Sequence, residues 1–234
     1  MIREAIILAG GFGTRLRSVV SSLPKPMAEV CGRPFLSYIL DFLNKQGIGR
    51  VVLSVGYKWE VIKEFFGDRY KEIDLIYAVE DSPLGTGGAI KNALRHVCNS
   101  SVFVFNGDTL FDIDLSAFFL FHDERGSKLS IALKKADFTE RYGTVEIDSE
   151  NRIVGFVEKA RRFCVLINGG IYLLNKDFFN SFSLQDKFSF ERDFLERYYD
   201  AYRFYGVPFD GYFIDIGIPE DYERAKREFE KFSH

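Results

Sequence analysis

The chain has 234 residues, 47% of them hydrophobic and 28% charged, ordinary globular proportions that exclude a disordered or fibrous polypeptide and leave ample length for a core. Its 31 basic and 34 acidic residues leave a formal charge of -3, so no basic excess marks a nucleic-acid or membrane-surface binder. Apolar runs such as 5–9 and 101–105 are strand-sized, far short of a bilayer span, and the five apolar residues after Arg3 and Glu4 make no secretory leader.

Residues 4–9 read as a buried strand that ends in a glycine loop. Pro34 then opens an amphipathic helix with Phe35, Ile39, Phe42 and Leu43 along one side. Strands are predicted over 50–55, 74–79 and 101–105, alternating with helices over 60–66 and 87–97. That alternation implies βαβ crossovers and a parallel sheet, whose ligands bind beyond the carboxyl ends of the strands. The second half reads as strands over 129–134, 143–147, 153–157 and 165–174 joined by short turns. Helices near 176–182 and 190–198 and strands near 201–207 and 212–216 follow. Pro219 starts a last amphipathic helix over 220–232 that bears Tyr222, Ala225 and Phe229. With no low-complexity linker and no repeat, one α/β domain with a mixed second half is expected.

The 25 phenylalanines and 12 tyrosines are an unusual load. Pairs such as Phe65-Phe66, Phe118-Phe119 and Phe178-Phe179 fall in predicted helices, where neighbours face different ways, so they indicate core packing and not an aromatic binding platform. Cys31, Cys98 and Cys164 are an odd set without metal-ligand spacing and read as reduced thiols of a cytoplasmic protein. His96, His122 and His234 lack both metal spacing and a nucleophile partner.

Three features carry chemistry. The first is Leu8-Ala9-Gly10-Gly11-Phe12-Gly13-Thr14-Arg15-Leu16. Glycines there bring bare backbone amides close to a ligand, and a concavity of amides beside Thr14 and Arg15 suits a polyphosphate. It is neither a dinucleotide fingerprint, since Leu16 stands where the third glycine belongs, nor a Walker loop. The second is Pro24-Lys25-Pro26, a lysine expected on a stiff, extended backbone. The third is a pair of strand-end carboxylates, Asp108 in Asn106-Gly107-Asp108 and Asp215 in Phe213-Ile214-Asp215-Ile216-Gly217.

In this order and spacing the motifs resemble the sugar-nucleotide pyrophosphorylases, nucleotidyltransferases that join a nucleoside triphosphate to a sugar 1-phosphate. The resemblance runs from Ile6 to about Tyr222. It implies a Rossmann-like α/β fold, a mixed, mostly parallel sheet flanked by helices. Within a single domain over 1–234, a nucleotide-binding half would cover about 1–115 and a sugar-binding half about 116–234. By resemblance, Leu8, Ala9, Gly10, Gly11, Gly13, Thr14 and Arg15 hold the triphosphate, Lys25 reaches the transferring phosphate, and Lys25, Arg15 and Asp108 form the catalytic set. Asp108 and Asp215 become the ligands of Mg²⁺, an ion that takes one or two carboxylates and completes its shell with water and phosphate oxygens.

Glu80-Asp81-Ser82-Pro83-Leu84-Gly85-Thr86-Gly87-Gly88-Ala89 resembles the base-recognition loop, with glycines 85, 87 and 88 expected to let a flat base lie against backbone. Glu80, Gly85 and Thr86, with Asn106 and Gly107, complete the nucleotide site. A carboxylate at 80 can accept from the adjacent N1–H and N2–H₂ of guanine, whereas uracil and thymine offer it one N–H between carbonyls. Gly143, Glu158, Lys159, Asn168 and Gly170 fall on the sugar-phosphate side. The combination is most similar to the guanylyltransferases of heptose 1-phosphates, which implies GTP as donor and a D-glycero-D-manno-heptose 1-phosphate as acceptor. A hexose 1-phosphate uridylyl-, thymidylyl- or cytidylyltransferase stays open, as does an inactive, regulatory nucleotide-sugar-binding subunit. Retention of Lys25, Asp108 and Asp215 together argues against the last. The phenylalanine-rich second half is where a homodimer surface would fall.

Overall fold

The computed structural model describes residues 2–11, 16, 23–139, 142–157 and 162–230, without the side chains at 138, 157, 162 and 164. Strand β1 (Glu4–Leu8) leads through the glycine loop to a 3₁₀ turn (Lys25–Met27) and a small hairpin, β2 (Glu29–Val30) and β3 (Arg33–Pro34). Helix α1 (Phe35–Lys45), β4 (Arg50–Val55), α2 (Trp59–Phe66), β5 (Arg69–Tyr70), β6 (Ile73–Val79), α3 (Gly85–Ala93) and β7 (Ser101–Asn106) follow. Next come β8 (Thr109–Phe111), α4 (Leu115–Glu124), β9 (Leu129–Thr139), β10 (Thr144–Ile147), β11 (Ile153–Val157), β12 (Arg162–Asn175) and α5 (Lys176–Asn180). A π-helical turn (Phe190–Leu195), α6 (Glu196–Tyr202), β13 (Tyr205–Phe209), β14 (Phe213–Asp215) and α7 (Pro219–Glu230) end the described chain.

The main sheet runs β11-β10-β12-β7-β1-β4-β6-β5, with β9 paired to β12 and β13 to β9. Its centre, β7-β1-β4-β6, is parallel, and β12 joins β7 antiparallel. Of these, β1, β4 and β7 are buried on both faces, which is why they read in the sequence as nearly continuous apolar runs. Alternate residues feed two cores. Ile7, Leu53 and Phe105 meet α1, α2, α4 and α7 on one face, while Ile6, Val52 and Val104 meet α3, α5 and the π turn on the other. The architecture is the expected α/β one, with helices on both faces of a mixed, mostly parallel sheet.

The paired phenylalanines are packing residues, one of each pair deep in a core: Phe66, Phe118 and Phe179 are at most 5% exposed. Among the described residues no helix is long and apolar enough to cross a membrane.

Four expectations need correction. Lys25 is not on extended backbone. Pro24 alone is extended, and the next three residues close a 3₁₀ turn through Met27 N–H to Pro24 O (2.8 Å) and Ala28 N–H to Lys25 O (3.0 Å). Proline at the start of such a turn forfeits no bond, because its N–H would have had no partner there. The strand predicted over 201–207 starts only at Tyr205. Ala201 and Tyr202 finish α6, and Arg203, at φ 50°, reverses the chain in the left-handed region. The helix predicted over 190–198 begins as a π turn, and the one predicted over 87–97 begins at Gly85 and passes into a 3₁₀ turn after Ala93. The hairpin β2–β3 and strands β5 and β8 were not foreseen; runs of two or three residues carry no period to read.

Candidate active site

Backbone pairing assembles the site. β1 lies between β4 and β7 with Leu8 opposite Ser54 and Asn106, so the segments that follow β1, β4, β6 and β7 open on one end of the sheet. There a cavity of about 320 Å³ is lined by Leu8, Ala9, Gly10, Gly11, Lys25, Pro26, Glu80, Pro83, Gly85, Thr86, Ala89, Asn106, Gly107, Asp108 and Glu191, a size suited to a small organic ligand. The sequence-predicted nucleotide set Leu8, Ala9, Gly10, Gly11, Lys25, Glu80, Gly85, Thr86, Asn106 and Gly107 is thus brought together around one space. Gly13, Thr14 and Arg15 lie outside the described residues, as do Glu158 and Lys159.

Lys25 and Asp108, separated by 83 positions, form an ion pair between Nζ and Oδ2, the lysine side chain 14% exposed and the aspartate 32%. Asp215 reaches the same corner because β14 pairs antiparallel with β8, setting Asp215 against Thr109, and because Ile216 N–H bonds Asp108 O at 2.9 Å. A Cβ on Gly217 would stand 2.7 Å from Asp215 Oδ1 and 3.4 Å from Lys25 Nζ, so glycine is what lets these groups converge. In sequence Asp108 has no basic neighbour; the fold supplies Lys25.

Glu80 follows β6 and lies against Gly10, where a Cβ would come within 2.9 Å of its Oε1. Oε1 accepts from Ser54 Oγ at 3.0 Å and Oε2 from Leu84 N–H at 3.2 Å. A carboxylate offers about four lone-pair directions, so capacity for a ligand remains. The glycines beyond it also serve packing. The Cβ directions of Gly85, Gly87 and Gly88 are filled by Phe188 O at 2.5 Å, the Phe188 ring at 2.1 Å and Asp186 O at 2.1 Å. They admit the 186–188 segment, which is fastened by Gly87 N–H to Phe188 O and Phe188 N–H to Leu84 O, both 3.0 Å.

On the sugar-predicted side, Asn168 Nδ2 donates to Tyr172 OH (2.9 Å) and Oδ1 accepts from Gly170 N–H (3.0 Å). Gly143 O accepts from Asn168 N–H at 3.2 Å, and Gly170, at φ 72°, packs against Asn106, whose Nδ2 lies 2.8 Å from where a Cβ would be. None of these three lines the cavity, although Gly170 adjoins Asn106, which does. The residue that sequence reasoning missed is Glu191 on the π turn. Its Oε2 accepts from Thr86 Oγ1 (2.7 Å) and Ser189 Oγ (3.1 Å), and its Oε1 from Tyr172 OH (3.3 Å). The one available signal was a carboxylate inside the phenylalanine-rich run 188–194.

The fold is of the nucleotide-diphospho-sugar transferase type. The chain belongs to the nucleotidyl transferase family, whose model matches residues 4–231. It is 52% identical over 229 residues to a D-glycero-alpha-D-manno-heptose 1-phosphate guanylyltransferase of Aneurinibacillus thermoaerophilus, covering 98% of this chain and 99% of that one. It is also 52% identical to the protein of that name from Campylobacter jejuni, covering 94% and 96%. The solved structure of HddC from Yersinia pseudotuberculosis complexed with GMP-PN superposes with a TM-score of 0.87 at 40% identity, over 97% of this chain and all of that one.

Proposed function

We propose that the protein transfers the guanylyl group of GTP to D-glycero-α-D-manno-heptose 1-phosphate, giving the GDP-sugar and pyrophosphate. The observation that carries this reading is the meeting of Gly10-Gly11, Lys25, Glu80 and Asn106-Gly107-Asp108 around one cavity, in a chain 52% identical over nearly its full length to two guanylyltransferases. An oxygen of the sugar 1-phosphate attacks the α-phosphorus in line and pyrophosphate leaves, so no side chain need become covalently attached. Catalysis is then positioning and charge neutralisation. The amides of Gly10 and Gly11, with Gly13, Thr14 and Arg15, cradle the triphosphate. Lys25, held at the cavity wall by its 3₁₀ turn, places its ammonium on the phosphate that gains charge. Glu80 accepts from the guanine edge, beside Gly85 and Thr86, and Asn106 and Gly107 complete the nucleotide site. Gly143, Glu158, Lys159, Asn168 and Gly170 hold the sugar phosphate.

Asp108 and Asp215 are the residues that would hold Mg²⁺, and the donor set fits. The pairing of β14 with β8 and the bond from Ile216 N–H to Asp108 O bring the two aspartates to one corner, and Mg²⁺ is bound by one or two carboxylates with substrate phosphates and water. The charge balance also favours a cation: Glu80, Asp108 and Glu191 line the cavity against Lys25 alone among the described residues, an unwelcoming surface for a triphosphate by itself. When bound, Mg²⁺ supplies a Lewis acid and a template for the phosphates.

The two halves, about 1–115 and 116–234, are read as one domain sharing a sheet. The exposed thiols of Cys31 and Cys98 suit a reducing cytoplasm. The test is pyrophosphate release across GTP, UTP, dTTP and CTP crossed with heptose, mannose and glucose 1-phosphates. GTP with the heptose 1-phosphate should give the highest kcat/KM. Equal use of UTP or dTTP would remove Glu80 from base reading, and a preference for a hexose 1-phosphate would replace the acceptor.

A further inference from the structure

Glu191 lines the cavity yet belongs to none of the motifs, and its hydrogen bonds join the nucleotide wall to the strand that carries Asn168. We propose that Glu191 is a positioning residue for the acceptor sugar: working through Tyr172, its carboxylate decides which way round the side-chain amide of Asn168 sits. The inference rests on Asn168 facing the sugar, as read above.

Hydrogen-bond polarity fixes the arrangement. A carboxylate only accepts, so Tyr172 must spend its single hydrogen on Glu191 Oε1, 3.3 Å away. The phenol oxygen then has lone pairs alone for its other neighbour, and Asn168 must present Nδ2 to it, as it does at 2.9 Å. The far end of the amide agrees, because Gly170 N–H, a donor, faces Oδ1 at 3.0 Å. With the amide so fixed, the second Nδ2 hydrogen is what Asn168 can offer to an oxygen of the sugar. A reversed amide would set Oδ1 against the phenol lone pairs and N–H₂ against N–H. Inside protein such mismatches are costly, and Tyr172 is 1% exposed. Burial, with the Glu191 charge beside it, also drives the phenol of Tyr172 well above its ordinary range, so it remains a donor.

Glu191 is itself clamped. Thr86 Oγ1 donates to its Oε2 at 2.7 Å and accepts from Phe190 N–H at 2.9 Å, so the same carboxylate ties the start of α3 to the network. Its backbone is the π turn, a rare conformation found frequently at functional sites.

The test is Glu191→Gln, which keeps size and bonding capacity but supplies a donor. With Oε1 still accepting from Thr86, Nε2 can donate to Tyr172, the phenol can turn its hydrogen toward Asn168, and the amide loses its fixed sense. The KM for the heptose 1-phosphate should rise about tenfold, as expected for one misdirected hydrogen bond, with KM for GTP within twofold and the thermal midpoint unchanged. Tyr172→Phe should raise the same KM, and adding Glu191→Gln to it should raise it no further, since the relay is already cut. Additive effects, or matched rises in both KM values with a lowered midpoint, would make Glu191 merely structural and overturn the proposal. So would an unchanged sugar KM in Glu191→Gln while Asn168→Ala raises it. If Asn168→Ala leaves the sugar KM unchanged, the sugar-side reading fails instead and the inference goes with it.

Discussion

At the residue scale, the pairing of Lys25 with Asp108 means that two groups expected to act on different parts of the substrate begin in contact with each other. Asp108→Asn and Asp215→Asn should each lower Mg²⁺-dependent turnover about a hundredfold, the cost of roughly 3 kcal/mol of charge stabilisation, with circular dichroism unchanged. Rates near wild type at limiting Mg²⁺ would take that aspartate out of the metal site. Lys25→Ala should depress kcat and leave the sugar KM within a few-fold; the opposite split would make Lys25 a uniform binder. His122 supplies a pH dependence unrelated to chemistry. Ser127 Oγ donates to Leu129 O and Ser130 Oγ to Ser127 Oγ, so Ser130 must accept from His122 Nδ1–H at 2.9 Å. Burial, with a smaller contribution from Lys128, lowers this imidazole from 6.5 to about 4 against the opposing pull of Asp123. The unfolded chain therefore binds a proton first as pH falls. The stability this group confers is complete above about pH 6.5 and is lost as pH falls toward 4. Between pH 7 and pH 5 that loss amounts to about 2 kcal/mol. Urea titrations at the two pH values should show it in the wild type and show a correspondingly smaller drop in His122→Gln.

At the element scale, α3 and the 186–188 segment form a unit made possible by missing side chains. Gly88→Ala would push a Cβ to 2.1 Å from Asp186 O, a backbone atom that cannot swing aside. A loss of about 2 kcal/mol is expected by analogy with overpacked cores. Since Gly85 and Thr86 open α3 at the cavity wall, GTP affinity should fall as well. Differential scanning calorimetry and nucleotide titration would check the two effects; a variant with both values unchanged would show that the segment is free to part from α3. Strands such as β4 and β11 were legible to the residue because short runs rich in valine, isoleucine and phenylalanine, bounded by turn or charged residues, favour a strand. β8 was not, because three residues are held by their pairing with β14, a partner about a hundred positions away that no local pattern announces.

At the scale of the whole molecule, the sheet does not break where nucleotide and sugar halves would meet. β12 pairs with β7 over Ile171–Phe105 to Asn175–Ser101, and Glu191 from the second half bonds Thr86 in the first. Unfolding should therefore be one cooperative event. Trp59, the single tryptophan, sits on α2 in the first half, so its fluorescence should trace the same urea transition as far-UV circular dichroism of the whole chain. Two separated transitions would establish independent halves.

The sequence by itself determined the family, the alternation of strands and helices in the first half, and the short motifs that line the cavity. Glycines that follow a strand, and carboxylates that end one, are written in short contiguous stretches such as Gly10-Gly11 and Asn106-Gly107-Asp108. Tertiary structure alone decided what Lys25 touches, that Gly87 and Gly88 face Phe188 and Asp186 in place of a ligand, and that Glu191 lies in the cavity wall. Those contacts join residues 83 to about 105 positions apart. Strand register and helix seating select them, and a shift of one residue in a strand would turn each side chain to the opposite face.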